Sequence, residues 1–375
     1  MSEKSSTQQR SAPDLAQDPE RAAELAGSQG RRSIWQRLRA DHGGQLRIVL
    51  LFVGLVVLAV LSFGFGRYPL SPFTVVRVLV GQFVDIPMTW AQADQTVILD
   101  IRFPRIFAAL LVGAALSSSG AAYQTMFRNP LVSPEILGVA AGAGFGASMG
   151  ILIGLPQSVL EILAFLFGLL AAILALAIGR GVGNVSPIVL VLGGIVVGAM
   201  FSALISATQY FANPETTLPE ITFWLFGSLA RATTRGLILP AIIVGVCLVA
   251  LYAVRWPLTV LATGEDEART MGVDRRLVWA VVIGSSTLMT ATVVSIAGII
   301  GWVGLVVPHL ARFVVGPSFT RLLPVTTLIG AGYVLAVDDV ARSATSLDLP
   351  LGILTALIGA PFFVALLVKA RRQWL

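Results

Sequence analysis

Charge is scarce in this sequence, and so are the side chains that most often carry chemistry. Only 12% of the 375 residues are charged, two are histidine and one is cysteine. A single cysteine, Cys247, excludes an intramolecular disulfide and a cysteine metal cluster, and its place inside an apolar run makes it a small packing residue. Lysine is reduced to Lys4, after Glu, and Lys369, after Val. A P-loop needs lysine after glycine to reach phosphates, so ATP is not bound here in that way. HExxH, CxxC and GxSxG are missing too. Histidine is confined to His42 and His309, and His309, beside Pro308 in "GLVVPHLARF", reads as a hydrogen-bonded structural residue rather than a haem or metal ligand. No metal site and no cofactor are expected on this chain.

What is present is oil. Apolar residues make up 56% of the chain, and mean hydropathy is +0.84. A helix crossing ~30 Å of hydrocarbon needs about 20 mostly apolar residues. Such runs lie near 48–66, 106–126, 135–154, 158–178, 187–211, 236–254, 277–299, 301–315, 322–337 and 350–368. The expectation is an all-α polytopic membrane protein with about ten spans. The basic balance, 26 Lys and Arg against 20 Asp and Glu, would suggest nucleic acid in a soluble protein; here it sets orientation, and no nucleic-acid partner is expected. With the N-terminus inside, fifteen basic residues face the cytoplasm and seven face out, which satisfies the positive-inside rule with both ends cytoplasmic. Residues 1–45 lack an apolar run and read as a disordered cytoplasmic tail, with a short surface helix near "SIWQRLR"; residues 46–372 read as one membrane domain.

Between the spans, the outer segment 67–105 is long enough for an amphipathic element, and 210–236, with two prolines and clustered aromatics, suits a short helix near the outer surface. Gly138, Gly142, Gly146 and Gly150 recur at four-residue spacing on one helix face, with Gly144 broadening it. Such a face packs closely against another helix or lines a pore or gate. Acids sit at span ends (Glu135, Glu161, Asp338, Asp339), which disfavours an ion-coupled carrier, since those keep ionisable groups inside their helices. A membrane-embedded enzyme is disfavoured by the lack of clustered His, Cys or carboxylates.

One polar island stands out: "LATGEDEARTMGVDRR", 261–276, with seven charged residues of sixteen. Thr263 is expected to cap a helix whose first turn carries Glu265, Asp266 and Glu267, acids that suit the positive helix end. Gly272 is expected to close it in the left-handed conformation, and Asp274 to cap the next helix. Two capped helical pieces form a rigid knob, more than a plain connection needs.

At this point several blocks, in order, carry a resemblance: "RFPRIFAALLVGAALSSSGAAYQTMFRNPLVSPEILGVAAGAGFG" (102–146), "FWLFGSLA" (223–230), "GEDEARTMGVD" (264–274), "GLVVPHLAR" (304–312) and "DDVARSATSLDLPLGILTALIGAPFF" (338–363). The chain resembles the FecCD permeases, membrane subunits of type II ABC importers for iron chelates, haem and vitamin B12. The resemblance implies a BtuC-like ten-helix subunit in the cytoplasmic membrane. It also implies a second permease subunit, identical or paralogous, two copies of a separate ATPase that holds the ATP and Mg, an extracytoplasmic substrate-binding protein, and span 187–211 as gate candidate. Transport rather than an enzymatic reaction is then the chain's task.

The same resemblance makes 264–274 the coupling helices that seat in the ATPase, with Glu265, Asp266, Glu267, Arg269, Met271 and Gly272 as contact or shaping residues. Arg102, Arg105 and Arg342 resemble the arginines that pair with carboxylates of the binding protein; the other reading is snorkelling, or internal salt bridges with Asp338 and Asp339. "RNPLVSP", 128–134, is a turn-forming connection or a second ATPase contact. Iron(III)-siderophore is the first cargo implied, with haem, cobalamin and molybdate-type oxyanions as alternatives.

Overall fold

In hydrocarbon each backbone N–H and C=O must find a partner within the protein, and a helix supplies all of them from its own segment. The computed structural model describes residues 45–85, 87–181, 187–344 and 348–371, and among them there are helices and turns but no strand. The tail with "SIWQRLR" and His42 lies outside the described residues, as do Arg372 and the side chains of Lys369 and Arg371. Leu50–Leu375 is one compact unit; of the other, Met1–Val49, only 45–49 are described.

Helix α1 spans Gln45–Ser62. The chain continues through α2 (Pro72–Val80), α3 (Gln92–Thr96), a π-helical turn (Val97–Arg102) and α4 (Phe103–Met126). After a 3-10 turn (Pro134–Leu137) come α5 (Val139–Leu152), α6 (Gln157–Gly181), α7 (Pro187–Phe211), α8 (Thr217–Leu225) and α9 (Thr234–Ala253). Two short helices, α10 (Arg255–Thr263) and α11 (Glu265–Thr270), precede α12 (Arg275–Ala297), α13 (Val303–Val315), α14 (Phe319–Ser343) and α15 (Leu351–Arg371). Six of them, α1, α6, α7, α9, α12 and α14, are long and apolar enough to cross a membrane, while α5, α13 and Leu351–Leu366 are shorter apolar helices.

Helix α4 completes the expected set, and its character differs. Its 24 residues include Ser117, Ser118, Ser119, Gln124 and Thr125, all buried. Neighbouring helices supply their partners: Ser117 Oγ donates to the Thr326 carbonyl at 3.0 Å, Ser118 Oγ lies 2.8 Å from Thr327 Oγ1, and the Tyr123 hydroxyl lies 3.0 Å from Thr287 Oγ1. These bonds tie α4 to α14 and α12. Toward α13 the backbones touch, for a Cβ on Gly120 would sit 1.9 Å from the Gly304 carbonyl oxygen. Small residues and interhelical hydrogen bonds are what hold helices together where lipid is as apolar as leucine.

The segments flanking these spans follow local chemistry. Helix α2 buries Val75 and Val78 while Phe73, Val76 and Val80 stay exposed, so the segment carries a helix that is apolar on its exposed side too. Pro104 falls inside the helical run from α3 to α4; the π turn just before it gives room for a residue that has no N–H and a bulky ring. The span expected from 135 begins instead at Val139, because Gly138 is left-handed, with φ 75°. Gly142 and Gly146 press on α6: their Cβ atoms would lie 2.4 Å from the Phe167 and 2.5 Å from the Leu163 carbonyl oxygen, whereas Gly150 meets nothing closer than 3.5 Å. Gly144 faces the side chains of Leu225, Ile205 and Ile299. Helix α8 is the short helix expected in 210–236. Just after it, Gly227 and Phe226 accept backbone bonds of 3.0 Å from Leu351 and Gly352, and the Ser228 N–H donates to Ala297 at 2.8 Å. The "FWLFGSLA" block thus joins the end of α12 to the start of α15.

Candidate functional site

Within the polar island α11 is the one short helix, set between the last turn of α10 and α12, so the second expected piece is the first turn of a membrane-length helix, and the caps differ in part from expectation. Thr263 does not cap α11: its Oγ donates to Val260, 2.8 Å away, within α10, and the N-cap position belongs to Gly264. The reason is Glu267. Its carboxylate folds back over Gly264, where a Cβ would sit 1.6 Å from Oε2, so no larger residue leaves it that place. An acid there suits the unsatisfied N–H groups and positive end of the helix. At the other end Gly272 is left-handed (φ 74°). The Gly272 N–H donates to Arg269 at 3.0 Å and the Val273 N–H reaches the Ala268 carbonyl at 2.9 Å. That six-to-one bond is a Schellman closure. Asp274 then caps α12, accepting from the N–H groups of Arg276 (2.8 Å) and Leu277 (3.4 Å).

Charge pairing stiffens the knob. Glu265 accepts from Arg275 at 3.0 Å, and the Arg275 guanidinium lies 4.5 Å from the ring centre of Trp279. Below it, α10 is fastened to the bundle. Leu258 and Leu261 are buried, Arg128 donates to the Leu261 carbonyl at 2.5 Å, and Thr320 N–H donates to Thr259 Oγ1 at 3.3 Å. Arg128 opens the "RNPLVSP" turn with a left-handed backbone (φ 50°), so this stretch braces α10. Of the island's own residues, Leu261 and Ala268 are buried, whereas Asp266 and Met271 are exposed, with no side-chain hydrogen bond or ion pair among the described residues. Glu265, Glu267 and Gly272 therefore shape the knob, and Asp266, Arg269, Thr270 and Met271 are exposed on it.

A second charged cluster gathers α1, α4 and α14. Arg102, Arg105 and Arg342, expected as exposed docking residues, are buried, with 4%, 9% and 5% of their surface accessible. Arg105 contacts both Asp338 (3.0 Å) and Asp348 (2.7 Å), and Asp348 also takes Arg67 at 3.0 Å. Arg342 pairs with Asp339 and donates to the Ser62 carbonyl at 2.6 Å. Arg102 donates to the carbonyls of Phe63 and Tyr68. In this chain the three guanidiniums turn inward at the helix ends, and Arg105 and Arg342 form the internal ion pairs that were the other reading. His309 has Arg312 Nη1 at 3.0 Å from its Nδ1. No group of three His, Cys, Asp or Glu able to hold a metal occurs among the described residues.

With this geometry in place, comparison with known proteins decides the family. The model of the FecCD transport family matches residues 54–369. The chain belongs to the FecCD transport family. A molybdate import system permease, MolB, of Haemophilus influenzae is 41% identical over 85% of this chain and 94% of its own. A Helicobacter pylori permease named for iron chelatin transport is 40% identical over 73% of this chain and 83% of its own. Names for cobalamin and hemin import also occur among the relatives, at 40% and 33% identity. A solved structure described as an inward-facing metal-chelate type ABC transporter superposes with a TM-score of 0.77 at 40% identity, covering 87% of this chain and 99% of that one. This FecCD chain is an all-α, multi-pass permease of BtuC-like fold.

Sequence reasoning missed several residues that build this FecCD permease. Gly264 reads as one glycine among 37. Trp279 carries no motif, and Arg128 stands in "RNPLVSP" with no sign that it reaches α10. Asp348 gives no sign that it shares Arg105 with Asp338, since they meet across a chain separation that no local pattern encodes. A signal existed only for Asp338 and Asp339, two adjacent acids on an apolar span, which demand cations when buried.

Proposed function

We propose that this chain is the membrane permease of an importer of the cytoplasmic membrane, powered by a separate ATPase and fed by a substrate-binding protein, and that its cargo is an iron(III)-siderophore complex. The single observation that carries the reading is the knob of α10 and α11. The sequence holds no P-loop of its own, so the work of transport must enter through a surface, and only a rigid surface transmits displacement. With Glu267 folded back over Gly264, closed by Gly272 and fastened through Arg128 and Thr259, α10 and α11 meet that requirement with Asp266 and Met271 outward. Both termini are cytoplasmic in this reading, and a second permease subunit, identical or paralogous, completes the pathway. Docking of the binding protein and nucleotide on the ATPase must each favour one membrane state over the other, or nothing is driven.

The iron reading draws on the relative named for iron chelatin transport and on the metal-chelate type structural neighbour. A second reading, a molybdate-type oxyanion, is favoured by the Haemophilus relative, of which this chain covers 94%. Uptake of radioactive iron, as ferric siderophore and as haem, and of molybdate and cobalamin is measured in cells lacking the gene, with and without a complementing copy. Siderophore uptake lost and restored by the copy is the expected result. Loss of molybdate uptake alone moves the assignment to the oxyanion, and undiminished uptake of all four rejects both. Transport by the purified permease in vesicles without any ATPase would instead reveal an ion-coupled carrier.

A further inference from the structure

We infer that the cleft between the knob and the ends of α6 and α12 binds the phosphate of an anionic lipid headgroup. The cleft encloses about 790 Å³ and is lined by four arginines, Arg180 at the end of α6, Arg269 on α11, and Arg275 and Arg276 at the start of α12. Its only acids, Glu265 and Asp274, are engaged: Glu265 binds Arg275 and Asp274 caps α12. Arg180, Arg269 and Arg276 consequently have no carboxylate within 4.0 Å among the described residues, although they share one concavity. Like charges gathered without acids repel unless an anion joins them, and the guanidinium fork matches phosphate oxygens two at a time.

The source of the phosphate follows from position and lining. Arg180 and Arg276 stand at the ends of two helices of membrane length, which puts them at headgroup depth. The apolar part of its lining is Leu176, Leu261, Ala280 and Ile283, and Trp279 lines both this cleft and a smaller adjoining cavity. Apolar wall, basic rim and an interfacial Trp are the makings of a lipid site rather than a free-anion site. A lipid seated there touches Glu265, Ala268 and Val273 of the knob from behind, opposite in role to the presented Asp266 and Met271. The inference needs only the membrane-spanning fold, not the proposed ATPase contact.

The test is native mass spectrometry of the full purified chain, titrated with phosphatidylglycerol, phosphatidylcholine or inorganic phosphate. Phosphatidylglycerol is expected to bind preferentially, with affinity falling about fivefold for Arg276→Gln and further for Arg180→Gln/Arg276→Gln. Arg235→Gln, outside the cleft, leaves binding unchanged. Equal binding of the two lipids, or indifference to the Arg276→Gln substitution of an exposed side chain, overturns the proposal. Competitive release of phosphatidylglycerol by millimolar inorganic phosphate, dependent on the same arginines, assigns the cleft to a free anion and overturns the lipid. Because no ATPase is in the sample, failure of the coupling reading cannot produce either outcome.

Discussion

Arg105 stands between Asp338 and Asp348, and Asp338 has no accessible surface at all. Without Arg105, Asp338 keeps only the longer contact to Arg342 at 3.7 Å, and a buried carboxylate stripped of its close partner costs far more than the pair itself contributes. Arg105→Leu is therefore expected to destabilise the protein by about 3–5 kcal/mol, read as a fall in melting temperature in detergent. The double variant Arg105→Leu/Asp338→Leu is expected to recover much of that loss; a double variant less stable than the single one would mean that the pair stabilises outright. The Glu265–Arg275 pair is the contrasting case. Its side chains are 46% and 38% accessible, and an exposed pair contributes only ~0–1 kcal/mol, so Glu265→Gln should leave the melting temperature almost unmoved. Gly272 belongs with Arg105 rather than Glu265. With φ 74° and open space around its Cα, the obstacle to Gly272→Ala is backbone conformation alone, about 1–2 kcal/mol. Faster hydrogen exchange at the amides of 268–273 is the expected sign.

At the scale of elements, α4 decides how the bundle is held. Gly120→Ala sets a methyl 1.9 Å from the Gly304 carbonyl oxygen, so α13 must move and the yield of folded protein should collapse. Gly150→Ala, with 3.5 Å to its nearest neighbour, should melt within a few degrees of the parent protein; similar yields for both variants would show that α4 and α13 do not make this contact. The spans were readable because lipid imposes length and apolarity on each helix, and α7 matches its expected limits, 187–211. What α4 buries was not readable. A serine-rich helix and a lipid-facing one differ in neighbours, and neighbours come from distant parts of the chain. The same blindness left two readings of the arginines open: a guanidinium at a span end looks identical in sequence whether it faces water or Asp338. The knob was legible in its Gly272 closure and Asp274 cap because both act within a few residues. Glu267 folding onto Gly264 was not, since Asp266, three residues after Thr263, supports the wrong cap equally well.

At the scale of the whole molecule, orientation and coupling stand or fall together. Counted along the sequence with the N-terminus taken as inside, Lys and Arg are in excess on the side assigned to the knob, and such a bias sets topology. If that face is cytoplasmic, Met271 is out of reach from outside the cell, whereas Glu215, exposed before α8, lies on the outer side. Cys247 is buried, so single cysteines can be placed without removing it. Glu215→Cys in intact cells should react with a membrane-impermeant maleimide, and Met271→Cys only after the membrane is broken. The reverse pattern would invert the protein and put the knob where no cytoplasmic ATPase could touch it. Given the expected topology, the charge change Asp266→Lys with Met271→Asp alters only what the knob presents, because neither side chain holds it together. Uptake should then be lost while insertion and melting temperature persist. Retained uptake would show that force enters elsewhere, and the braced "RNPLVSP" turn, bonded to α10 through Arg128, would be the next surface to change.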